Sequence, residues 1–162
     1  MAKPRDNYFE INSHKASIRV TINSIMMGSL FFVLTLIWTT DPLKFSTFTV
    51  AQIILAVPLL YVSSLAYSKI GYAKKVIMWD VLGWFTNTIG SIFILNAIGL
   101  MTAAIYKDIA LTYFLLMIIL MVIYSVINIK YTPNELKEKM FKLVFFLIIM
   151  TLGGLLPLLF SL

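Results

Sequence analysis

The chain contains no cysteine and a single histidine, His14. Disulfides and thiolate metal sites are excluded, and no histidine cluster can form. Charge is scarce too: 12% of residues are charged, about half the share in soluble domains. Asp80 is the sole carboxylate inside an apolar run, so an intramembrane aspartyl protease, which needs two carboxylates sharing a proton, is not encoded. His14 lies in the polar amino-terminal arm, away from any nucleophile a Ser/His hydrolase would need. No run carries a central lysine for a Schiff base, and no glycine-rich phosphate loop is present. The sequence thus offers no enzyme, cofactor or metal motif.

What fills the chain instead is apolar: 60% of its 162 residues are hydrophobic. A water-soluble fold of this length cannot hide so much Leu, Ile, Phe and Met; lipid can. Five runs are long enough to cross a bilayer, at about residues 20–40, 48–67, 76–106, 109–129 and 141–162. No small-residue cleavage site follows the first, so it reads as a span rather than a signal peptide. The expected fold is all-α: a polytopic membrane protein with five transmembrane helices. Residues 1–19 form a basic cytosolic arm, and 20–162 a single transmembrane domain. Asn12 or Ser13 is placed to cap the first helix.

The third run, taken as one helix, is about 46 Å long at 1.5 Å per residue, longer than the roughly 30 Å hydrocarbon slab. Gly90 and Gly99 are its candidate weak points, and Lys107-Asp108 is the expected turn after it. The last helix is expected to start in the cytosol at 133. There Thr132, Pro133 and Glu135 match a capping box with proline at the first helical position. Glu135/Lys139 and Glu138/Lys142 stand four apart in the favourable order. Gly153, Gly154 and Pro157 predict a break in the outer half of this helix, because Pro157 has no N–H for the carbonyl of Gly153.

Eleven of the 13 basic residues lie in the amino-terminal arm, the second loop and the fourth connection. Basic residues are retained on the cytoplasmic side. An odd number of spans follows, with the N-terminus cytoplasmic and the C-terminus outside. The net charge of +6 therefore points to the anionic inner leaflet rather than to nucleic acid. Lys69, Lys74, Lys75, Lys137, Lys139 and Lys142 are the lipid-headgroup candidates. Cysteine-free, Lys- and Ile-rich usage points to a prokaryotic cytoplasmic membrane.

At about 100° per residue, Asp80, Trp84, Asn87, Ser91, Ile98 and Thr102 share one stripe of the third span. Such polar groups are expected to face protein, water or a pore. Asp80 has two readings: an interfacial carboxylate paired with Lys74 or Lys75, or a cation or proton site. Asn87 and Ser91 read either as interhelical hydrogen bonds or as pore lining. Gly83, Gly90 and Ala97 make a small-residue stripe for helix packing. Asn96 points the other way and needs its own partner. On the first span Thr21, Ser24, Gly28, Thr35 and Thr39 form a second small, polar stripe, and Gln52, Ala56 and Ser63 line one face of the second span.

Two functions fit. The first is a homo-oligomeric channel or small-solute permeation subunit, its pathway made where the polar stripes of helices 1 and 3 meet around an axis. The second is a non-transporting scaffold or effector subunit, whose basic arms bind a cytosolic protein partner or anionic lipid.

Overall fold

The computed structural model describes residues 13–40, 44–70, 76–131 and 136–160. Five helical rods make up this structure, with no strand among the described residues: α1 (Ser13–Thr40), α2 (Thr47–Lys69), α3 (Val76–Ala103), α4 (Lys107–Tyr131) and α5 (Leu136–Met150). The last rod continues through a π-helical turn (Thr151–Leu155) into a short α6 (Leu156–Phe160). Five segments are long and apolar enough to cross a membrane. Large apolar side chains stand exposed on every rod, Phe31, Leu55, Met78, Leu116 and Phe160 among them. In water these surfaces would drive aggregation; acyl chains solvate them. The architecture is that of a multi-pass integral membrane protein.

Local chemistry sets the helix ends. Ser46 caps α2: its backbone is extended, and its side chain accepts from the N–H of Thr49 at 3.2 Å. The turn after α3 falls earlier than expected. Tyr106 N–H donates to Thr102 O at 2.8 Å, and Tyr106 O accepts from Ala110 N–H at 3.1 Å. Lys107 and Asp108 are therefore the first turn of α4 rather than the link. An aspartate is favoured there by the helix dipole. The proposed caps at Asn12 and at Thr132 to Glu135, and the lysines at 74 and 75, lie outside the described residues.

α2 and α3 form the central pair. α1 leans on α2, while α4, α5, the π turn and α6 gather on α3. The small-residue stripe explains the close α2–α3 approach. A Cβ on Gly83 would stand 2.8 Å from Cε1 of Tyr67, and one on Gly90 would stand 3.1 Å from Cγ of Leu60. Ala97 is buried in the same seam. Gly99 abuts Phe114 of α4. Neither Gly90 nor Gly99 breaks α3; both are contact points.

Candidate functional site

The inner face of α2 carries polar residues from one end to the other. Thr49, Gln52, Ser63 and Tyr67 are all buried, and Ile53, Ala56 and Leu60 are the apolar residues between them. The spacing of three and four keeps them on one helical face. At 1.5 Å per residue Gln52 lies about 8 Å from the start of α2, Ser63 about 24 Å and Tyr67 about 30 Å.

At the first end an open cavity of about 270 Å³ lies among Lys44, Ser46, Thr49, Lys107, Pro157 and Leu158. This vestibule brings together Lys44, before α2, and Lys107, at the start of α4.

One turn deeper is the break in the last helix. Pro157 supplies no N–H to the carbonyl of Gly153. The backbone answers by widening: the N–H of Leu156 reaches back to Thr151 O, a π-helical turn. A side chain supplies the missing donor, Gln52 Nε2 to Gly153 O at 2.9 Å. Asn96, on the opposite side of α3 from the Asp80 stripe, finds its partner here too. Its Nδ2 donates to Ile149 O at 3.4 Å. Both side chains are buried, Gln52 at 3% and Asn96 at 0% exposure. Their nitrogens are engaged, yet Gln52 Oε1 and Asn96 Oδ1 have no donor among the described residues. The two glycines permit the approach. A Cβ on Gly153 would stand 2.5 Å from Asn96 Nδ2, and one on Gly154 2.6 Å from Asn96 Oδ1.

Below this node about 16 Å of α2 is apolar, packed against Leu30, Leu34 and Ala97. Then polarity resumes. Asn23 Nδ2 donates to Ser63 Oγ at 3.1 Å, and Ser63 Oγ donates to Gly83 O at 3.0 Å. This chain ties α1, α2 and α3 together.

The far end holds the charges. Arg19 of α1 donates to the Tyr67 hydroxyl and lies over the same ring, its guanidinium carbon 5.0 Å from the centroid. Asp80 of α3 is 2% exposed. It interacts electrostatically with Arg19, Lys142 and Glu138. Lys142 pairs with Glu138 on α5 and sits 5.3 Å from the Trp84 ring centroid. Trp84 and Phe85 pack on Phe141 and Phe145 across the α3–α5 seam. Asp80 thus lies in the field of Arg19 and Lys142, on other helices.

The sequence candidates separate accordingly. Asp80 enters the charged end, and Gly153, Gly154 and Pro157 enter the amide node. Gly83, Gly90 and Ala97 enter the α2–α3 seam. Asn87, Ser91 and Thr102 are half-buried on α3, and the Thr102 hydroxyl donates to Ile98 O at 2.8 Å. The α1 stripe does not meet them. Thr21, Ser24, Gly28, Thr35 and Thr39 are exposed, about 145° from the buried line of Ala16, Asn23, Leu30 and Ile37. Their hydroxyls are bonded to their own helix, Ser24 to Val20 O and Thr35 to Phe31 O, each at 2.9 Å. A back-bonded hydroxyl needs no water or partner helix. Gly28 has open space where a Cβ would be, so among the described residues it packs against nothing. Lys139 is turned inward rather than toward headgroups: it is 7% exposed, and its Nζ donates to Asn128 O at 2.8 Å. Lys69 and Lys137 are exposed.

Two functional residues escape a stripe-by-stripe reading. Asn23 has a visible signal, an amide inside an apolar run and in seven-residue register with Ala16, Leu30 and Ile37. Arg19 has none, because its partners stand on other helices. No family model, curated protein or solved structure matches the chain.

Proposed function

We propose that the chain is a small carrier for an ion or small solute, with its pathway inside one protomer along the inner face of α2. The observation that carries this reading is the pair of buried amide oxygens, Gln52 Oε1 and Asn96 Oδ1, at the broken last helix. A protein that only anchors partners has no use for unpaired buried acceptors, each costing about 1–3 kcal/mol. Discontinuous helices with exposed carbonyls are where membrane carriers hold their ligands.

In this reading the vestibule opens to the outside, the lysine-rich side being cytoplasmic. Ile53, Ala56 and Leu60 form the central seal. The Arg19–Tyr67–Asp80–Lys142 group closes the cytoplasmic end across four helices. Thr35, Ser24 and Gly28 of α1 face lipid or a second copy rather than the pathway. Anionic lipid meets Lys69 and Lys137 at the inner leaflet.

Polar substitution of the seal tests the reading without knowledge of the substrate. Ala56→Ser with Leu60→Asn places polar groups between the Gln52 and Ser63 nodes. Proteoliposomes holding this variant should leak ²²Na⁺ or ³⁶Cl⁻ faster than wild type. A folded variant, checked by helical circular dichroism and a monodisperse size-exclusion profile, that stays as tight as wild type overturns the proposal.

A further inference from the structure

We infer that the amide node binds one dehydrated monovalent metal cation, held by Gln52 Oε1, Asn96 Oδ1 and backbone carbonyls of the π turn. The inference deepens the carrier reading and rests on it for its purpose, but its chemistry stands on the local geometry.

Each amide nitrogen is committed to a carbonyl, Gln52 to Gly153 O at 2.9 Å and Asn96 to Ile149 O at 3.4 Å. Those bonds fix which way each amide points and leave its oxygen as an acceptor with no donor among the described residues. Buried acceptors of this kind call for a proton donor or a cation. The carbonyl of Gly153, denied its helical donor by Pro157, accepts from Gln52 Nε2 and keeps one lone pair for a ligand. Widened turns in membrane helices are where backbone carbonyls become ligands for ions.

The ligand's charge follows from the donor set. Amide and peptide oxygens are neutral. No group of three or more His, Cys, Asp or Glu gathers among the described residues. A divalent ion held in a protein cage requires carboxylates to offset its charge, so the site suits a single positive charge. Its size follows from the contacts. A Cβ on Gly153 would come within 2.5 Å of Asn96 and one on Gly154 within 2.4 Å of Phe114. The glycine faces are filled by the Asn96 and Phe114 side chains, so no organic solute fits and a monatomic ion is the largest ligand the node can take. The vestibule ends one turn outward, at Thr49, Pro157 and Leu158, which supplies an entry route. Lys44 and Lys107 line that mouth and oppose cation entry, so binding is weak at low salt and favoured when an anion shares the vestibule.

The test is thermal unfolding of the purified full chain in LiCl, NaCl, KCl or RbCl against N-methylglucamine chloride, at equal ionic strength. One alkali cation should raise the unfolding midpoint saturably, and N-methylglucamine should not. Gln52→Leu should abolish the rise. Should that variant fail to fold, Gln52→Glu keeps the oxygen and adds a charge, and should lower the half-saturating concentration by about tenfold or more. Thr112→Val, on the exposed side of α4, should respond like wild type. Equal midpoints in all five salts overturn the inference and assign the two oxygens to a bound water. The leak produced by opening the central seal does not depend on this site, so its presence with flat salt responses removes the cation and leaves the pathway standing.

Discussion

Gln52 and Gly153 are joined by a hydrogen bond of 2.9 Å that takes the place of the one Pro157 cannot make. The two residues lie 101 positions apart, so the bond clamps α2 to the last helix at its weakest turn. Gln52→Leu should destabilise the protein by about 1–3 kcal/mol, the cost of a buried acceptor left unserved. Pro157→Ala restores an N–H near Gly153 O. In that background Gln52→Leu should cost measurably less. Unfolding of the four proteins of this double-mutant cycle in mixed micelles reads the coupling.

Phe114 fills the space that two glycines leave open. A Cβ on Gly99 would lie 2.4 Å from Phe114 Cζ, and one on Gly154 the same distance from Phe114 Cε1. Either alanine should cost about 1–3 kcal/mol through overpacking. Phe114→Leu should rescue Gly99→Ala in part. It should rescue Gly154→Ala less, because Asn96 Oδ1 still stands 2.6 Å from that new methyl group. Thermal midpoints of the single and double variants distinguish the two cases.

Gly28 supplies the contrasting case. With nothing within 4 Å of its Cβ position, Gly28→Ala should leave stability within about 0.5 kcal/mol. A large loss would reveal a neighbouring protomer on that face of α1. Detergent-solubilised mass by light scattering, run on both proteins, would show it directly.

Asp80 is buried in the field of Arg19, which is itself engaged with Tyr67. Arg19→Gln should therefore destabilise by about 1–3 kcal/mol, since it takes a cation from the field of a buried carboxylate. Asp80→Asn in the same chain should recover much of that loss. Independent, additive costs in the cycle would show that the two charges do not act as a pair.

Much of this was legible before the fold. The five spans follow from apolar run length, and the weak point at Pro157 from its missing N–H. The seven-residue spacing of Gly83, Gly90 and Ala97 announces the α2–α3 seam, although not which helix fills it. The site was less legible because the partners of its α2 face stand on other helices. Asn96 looks isolated on α3 until Ile149 O arrives from α5. Asp80 feels the charge of Arg19, 61 positions earlier in the chain. The polar stripe of α1 misled for a physical reason: Ser and Thr on a helix satisfy themselves through the preceding turn, so their alignment does not require a pore.

The claim that a polar line runs inside a single chain is tested most directly by a thiol scan of α2. The absence of native cysteine makes every introduced thiol a unique reporter. Single cysteines from 47 to 69, in protein reconstituted in liposomes, are exposed to a membrane-impermeant methanethiosulfonate on both sides. The account predicts reaction at Thr49, which lines the open vestibule, and silence at Ile53 and Leu60 of the seal and at the lipid-facing Ile54, Leu55 and Val62. Opening the seal with Ala56→Ser and Leu60→Asn should extend reaction to a cysteine at 63; silence at Thr49, or at 63 in the opened protein, would contradict it.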